Sequence, residues 1–200
     1  MGILDTGSWK QWKASGTDTD DEKRRLSHKP DAYYIAYGSN LLTERFYRRC
    51  PDAVYAGRTV LEGWRMLFKK SKSGCYATVE QDANCEVPCI VYKSSGYDEA
   101  LLDKVEGYPK YYYKRKFQQR ILYNSGKQSK EKRKCTAYIL HEDRRLGEPP
   151  LEYMDVLMRG YSHWGFDAGV LEKAVADSIG NKDAQGFMKR YGDFRKEWEK

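Results

Sequence analysis

Nowhere does this chain approach the roughly 20 consecutive apolar residues that a membrane-spanning helix needs, and its first thirty residues hold no apolar stretch like that of a secretory signal. A cytosolic protein that makes no use of a membrane is therefore expected. Histidine is scarce. His28, His141 and His163 lie too far apart in sequence to suggest a metal site. The five cysteines, Cys50, Cys75, Cys85, Cys89 and Cys135, are an odd number. Cys85 and Cys89 stand four apart, but no histidine pair or second close cysteine pair completes a zinc set. Free thiols in a reducing compartment are expected, and neither a metal nor a cofactor is called for. RNP, KH, helix-turn-helix and zinc-finger patterns are also missing.

The chain has 200 residues, enough for one domain with tails and a real core. A hydrophobic share of 40% and 17 tyrosines fit a globular protein rich in strands. The net charge is +7, and most of the excess lies in 110–134, where ten Lys or Arg face one acid, Glu131. There basic residues alternate with aromatics, as in Tyr113, Arg115 and Phe117, which suits an exposed strand face, and Lys127 to Lys134 reads as a solvated hairpin tip. A solvated surface outweighs nucleic-acid binding, which is kept as the minor reading.

Residues 33–49 organise the rest. Tyr33 to Tyr37 is crowded with aromatic and β-branched residues and carries no charge, so it reads as a short buried strand. Gly38-Ser39-Asn40 breaks it, and Leu41, Leu42, Arg45 and Phe46 then fall on a helical period. A strand feeding a glycine turn at a helix start gathers backbone N–H groups that can hold a carboxylate or an oxyanion, with Gly38 expected at positive φ. Taken alone, the tetrapeptide reads more readily as a structural corner.

Further along, Ala53 to Leu61 and Trp64 to Lys69 read as two strands joined near Gly63, and Tyr76 to Val79 and Val87 to Tyr92 as two more, with Pro88 near a strand start. Asp98 to Val105 has Leu101, Leu102 and Val105 on one helical face, with Ser94 or Ser95 as cap. Tyr111 to Tyr123 pairs with Lys134 to Leu140. Leu151 to Gly160 reads as a helix begun after two prolines and stopped by a glycine. Helices are also expected over Phe166 to Ile179 and Ala184 to Trp198, the last basic and peripheral. Many short strands without a repeated β-α-β period indicate α+β, a curved sheet or small barrel. The expected divisions are a polar tail at 1–30, a domain at 31–180 and a basic carboxy-terminal helix at 181–200. The tail has an aromatic turn around Trp9 and Trp12. Its Met1-Gly2 with Thr6 matches a loose myristoylation pattern, which is set aside for want of a second anchor.

Glu106 ends the apolar helix beside Gly107, where a sharp turn would drive its side chain toward a cavity walled by Tyr108, Tyr112 and Tyr113. A solvated helix-end glutamate is the bland alternative.

Three ordered motifs decide between these readings. They are Tyr37-Gly38-Ser39-Asn40-Leu41; Leu102-Asp103-Lys104-Val105-Glu106-Gly107-Tyr108-Pro109, followed by Tyr112 or Tyr113; and Pro149-Pro150-Leu151-Glu152-Tyr153 with Gly160 behind it. Together they resemble the γ-glutamylcyclotransferase-like family over about 33–168. The resemblance implies a small mixed β-barrel with surrounding helices and a cavity at one end. It also implies release of 5-oxoproline and a free amine from a γ-glutamyl compound, with Glu106 as general acid and base. Tyr34, Ile35, Ala36, Tyr37, Gly38, Ser39, Asn40 and Leu41 match the stretch that cradles the glutamyl end. Tyr153 matches a tyrosine near the site. Strand alternation lets only one of Tyr112 and Tyr113 face inward. The expected partner is the small-molecule substrate. Self-pairing as a homodimer, γ-glutamylamine or natural-product substrates, and a non-catalytic binding member remain open alternatives.

Overall fold

The structure, a computed structural model, describes residues 30–198, so the tail readings fall outside the described residues. Strand β1 (Ala32–Ala36) leads through one 3-10 turn (Ser39–Leu41) into helix α1 (Thr43–Arg49). Two long strands follow, β2 (Val54–Lys70) and β3 (Cys75–Ser94), then helix α2 (Gly96–Glu106). Strands β4 (Tyr112–Gln119) and β5 (Arg133–Leu140) come next, and helices α3 (Leu151–Trp164), α4 (Gly169–Ile179) and α5 (Asn181–Trp198) end the chain. The protein is α+β, as expected.

The five strands form one mixed sheet in the order β2-β3-β1-β5-β4, parallel only between β1 and β5. β1 lies in the middle, with Ile35 and Ala36 almost fully buried. The barrel is not closed by a continuous ladder. The chain leaving β4 does cross to the other edge, where Arg58 N–H donates to Leu122 C=O at 2.9 Å and Leu122 N–H returns the bond at 2.8 Å.

Each pair of short strands expected over 53–69 and 76–92 is one long strand. Gly and Pro mark breaks in a local reading, but the β2–β3 ladder runs on past them, with bulges between Tyr55 and Gly57 and between Glu62 and Trp64. Pro88 accordingly sits inside β3, opposite Val60, and not near a strand start. α3 likewise runs through Gly160 and stops at Gly165, whose φ of 65° makes it the left-handed cap. Gly160 serves packing instead: a Cβ there would come within 2.9 Å of Leu41 Cβ, so its absence lets α3 lie on the 3-10 turn. Trp164 Nε1 fastens the same contact by donating to Leu41 C=O at 2.8 Å. α5 is not peripheral, since it buries Phe187 completely and Tyr191 nearly so. All five cysteines are free thiols.

Candidate active site

α2 is built to aim its last residue inward. Ser95 caps it reciprocally with Asp98: the Ser95 hydroxyl accepts from Asp98 N–H, and Asp98 Oδ2 accepts from Ser95 N–H, both at 3.1 Å. Asp98, Leu102 and Glu106 follow one another at four-residue spacing, so the inward stripe carries a carboxylate at each end. This differs from the apolar face of Leu101, Leu102 and Val105 expected from the sequence, because Val105 is 49% exposed. On the outer side Lys114 Nζ reaches Glu99 and Asp103 at 2.7 Å each, and Tyr138 Oη donates to Asp103 at 2.6 Å. These contacts hold the helix against β4 and β5.

Gly107 then turns the chain at φ 66°. A Cβ at this position would stand 2.7 Å from the Tyr111 ring. The left-handed backbone and the close ring both require glycine, and both place Glu106 on the wall of a cavity.

The cavity has a volume of about 390 Å³. Tyr34, Tyr37, Gly38, Ser39 and Asn40 line it from β1 and the 3-10 turn. Glu106, Tyr112 and Tyr153 line it from three other elements. Ile35, Ala36 and Leu41 instead face the core and keep the cradle in place. Tyr113 points to the other side of β4, where its hydroxyl donates to Glu142 Oε1 at 2.5 Å and its ring leans on His141. Tyr112 is therefore the inward tyrosine, as strand alternation demands. Tyr108 is exposed and does not wall the cavity. Gly38 has φ −108°, not the positive value expected. Its lack of a side chain matters for space, since a Cβ would sit 3.4 Å from Tyr153 Oη and 3.8 Å from Ala77 Cβ.

Sequence reading missed several lining residues. Arg45 and Arg49 come from α1, Lys72 and Ser73 from the β2–β3 connection, and Tyr138 from β5. The i, i+4 spacing of the two arginines put them on one face of α1, but nothing local said that this face meets the end of α2.

Burial raises the proton affinity of the Glu106 carboxyl. Arg49, the Asn40 amide and Arg45 pull the other way without cancelling the effect. Burial also pushes the Tyr34, Tyr37, Tyr112 and Tyr153 phenols up, so they stay neutral. Arg45 is shifted down, by its own desolvation and by its neighbour Arg49. The result is one carboxyl group able to exchange a proton, set among neutral hydroxyls and facing two guanidiniums. Among the described residues no group of three or more His, Cys, Asp or Glu is placed to hold a metal ion, and no helix is long and apolar enough to cross a membrane.

Comparison with known proteins bears on this arrangement. The sequence profile of the family described as "Gamma-glutamyl cyclotransferase, AIG2-like" matches residues 34–156. A γ-glutamylcyclotransferase of Bos taurus is 38% identical over 81 residues, which are 37% of this chain and 43% of that protein. The Homo sapiens γ-glutamylcyclotransferase is 36% identical over a stretch of the same length and coverage. The matched stretch thus spans less than half of these relatives. A solved structure titled γ-glutamyl cyclotransferase superimposes with a TM-score of 0.60 at 25% identity, over 80% of this chain and 98% of that one. With more than half of its length matched by the family profile, the chain belongs to the AIG2-like γ-glutamyl cyclotransferase family.

Proposed function

We propose that the protein is a γ-glutamylcyclotransferase, converting a γ-glutamyl compound into 5-oxoproline and a free amine. The observation that carries this reading is the placement of Glu106, a carboxyl group of raised proton affinity, on a 390 Å³ cavity beside the Gly38–Asn40 turn. The substrate's neutral α-amine attacks its own γ-amide carbon. Because the reaction is intramolecular, a cavity that holds the glutamyl chain folded supplies much of the rate by itself. Glu106 takes the proton that the attacking nitrogen sheds as the new C–N bond forms. It returns that proton to the leaving nitrogen as the old C–N bond breaks. A carboxyl group whose affinity has been moved toward neutrality does both jobs better than an ordinary glutamate. The oxyanion between these steps is met by N–H groups of the turn and by the neutral hydroxyls of the wall.

The cations of the lining support a preference among leaving amines. Arg45 forms no hydrogen bond or ion pair among the described residues, and Lys72 and Lys104 line the cavity with it. A basic wall attracts a leaving group that bears a carboxylate and repels a cationic amine. γ-Glutamyl amino acids are accordingly favoured over γ-glutamylamines such as γ-glutamyl-lysine. The test is mass-spectrometric detection of 5-oxoproline from γ-glutamyl amino acids, γ-glutamylamines and glutathione. Release from the amino-acid series is expected to be fastest. Silence across all three classes would refute the reaction, and a preference for cationic amines would refute the substrate assignment.

A further inference from the structure

The cavity wall is unbalanced in charge. Arg45, Arg49, Lys72 and Lys104 line it against a single acid, Glu106. Arg49 is engaged, its Nη1 donating to Asn40 Oδ1 at 2.8 Å. Arg45, Lys72 and Lys104 form no hydrogen bond or ion pair among the described residues. The other acids of the nearby helix face are held elsewhere, since Glu99 and Asp103 each lie 2.7 Å from Lys114 Nζ. Burial divides the cavity into two ends. Tyr34, Tyr37 and Asn40 are buried, whereas Arg45, Lys72 and Lys104 are exposed, so these three cations stand at the mouth. A line of contacts joins the two ends. Tyr153 Oη lies against Gly38, and the Tyr153 ring packs edge-on against Tyr76 with centroids 4.9 Å apart. Tyr76 Oη then meets Ser73 Oγ, in the residue next to Lys72, at 2.8 Å.

With the glutamyl end held at the Gly38–Asn40 turn, the leaving amine extends toward this mouth. The α-carboxylate of a leaving amino acid satisfies one of the three unpaired cations, and the others face whatever side chain it carries. We propose that the mouth selects leaving amino acids that bear a second carboxylate. Acidic γ-glutamyl dipeptides such as γ-glutamyl-glutamate are then the favoured substrates, with 5-oxoproline and glutamate as products. The chemistry of this assignment rests on the cyclotransferase reading, while the binding preference follows from the charge of the wall. An amide of the same shape, as in γ-glutamyl-glutamine, lacks the charge-assisted contact. The volume of about 390 Å³ falls within the range of roughly 300–1,000 Å³ that small-molecule sites span. Exposed charge pairs are individually weak and screened by salt, so a preference of about three- to tenfold is expected at low ionic strength.

The experiment compares 5-oxoproline release from γ-glutamyl-glutamate and γ-glutamyl-glutamine, which differ by one charge at nearly constant shape. kcat/KM should favour the glutamate compound by that factor, and the ratio should fall toward one as salt is raised. In the double variant Lys72→Gln/Lys104→Gln the glutamate compound should lose more than the glutamine compound, bringing the ratio near one even at low salt. Calorimetry of the same two dipeptides on Glu106→Gln reads the preference without turnover, and the glutamate dipeptide should bind more tightly there too. Equal kcat/KM at low salt, a ratio indifferent to salt, or a preference intact in the double variant would overturn the assignment and leave the cyclotransferase reading in place. If the wild type releases 5-oxoproline from no γ-glutamyl compound, that reading fails and calorimetry decides the mouth by itself. Tighter binding of the glutamate dipeptide would then sustain the preference, and equal or undetectable binding would overturn it.

Discussion

Replacing Glu106 by glutamine tests the centre of the mechanism. The amide keeps the volume of the side chain and most of its hydrogen-bonding capacity but cannot shuttle a proton. Substrate affinity should change little, because in the proposed reaction the Gly38–Asn40 turn and the cationic wall carry the binding. Turnover should fall by roughly 10²–10⁴, the usual contribution of general acid–base catalysis. The stability effect has a definite sign. Folding raises the proton affinity of Glu106, by burial and against the pull of Arg49, Asn40 and Arg45. Its contribution to stability is thus fully present below the ordinary glutamate range and is lost as pH rises through the elevated folded value. Glutamine has no such loss. Relative to the wild type, the variant should gain in thermal stability as pH rises above the ordinary glutamate range, while its turnover is depressed throughout. Calorimetric binding, 5-oxoproline release and melting on one preparation separate these effects. A solvated glutamate would change stability by no more than about 0.5 kcal/mol and leave the rate alone. A variant that cyclises near the parental rate would show that the proton travels by another group.

Three further substitutions probe the walls. Gly107→Ala forces a Cβ into a left-handed position 2.7 Å from the Tyr111 ring, so urea denaturation should register a loss of about 1–3 kcal/mol together with weaker turnover; an unchanged midpoint would remove the turn from the argument. At Gly38 the single methyl of alanine meets Tyr153 Oη at an ordinary 3.4 Å, whereas the branches of valine reach further. Gly38→Ala should stay active and Gly38→Val should lose activity beyond any loss of stability, and equal activity in the two would refute the steric reading. Tyr112→Phe should lower kcat/KM while Tyr113→Phe, which loses only the outward bond to Glu142, should not; the reverse result would mean that β4 presents its other face to substrate.

Much of this was legible before any coordinates, wherever the controlling physics is local. The uncharged aromatic run at Tyr33–Tyr37, broken by Gly38-Ser39-Asn40, specifies a buried strand and a turn, because neighbouring residues alone set those preferences. A serine cap at Ser94 or Ser95 and Gly107 as a stop likewise bound α2 and mark Glu106 at its end, and the resemblance over the three motifs supplies the chemistry proposed for it. Tertiary structure decided what depends on residues far apart in sequence. The β2–β3 ladder places the expected joint at Gly63 and the expected strand start at Pro88 inside two long strands, because cross-strand pairing runs on past both. The register of β4 on β5 selects Tyr112 over Tyr113. The packing of α3 on Leu41 turns Gly160 from a supposed stop into a contact. Above all, the meeting of α1 with the end of α2 brings Arg45 and Arg49 to the carboxyl group, a juxtaposition that no local pattern contains because the two long strands β2 and β3 separate the helices in sequence.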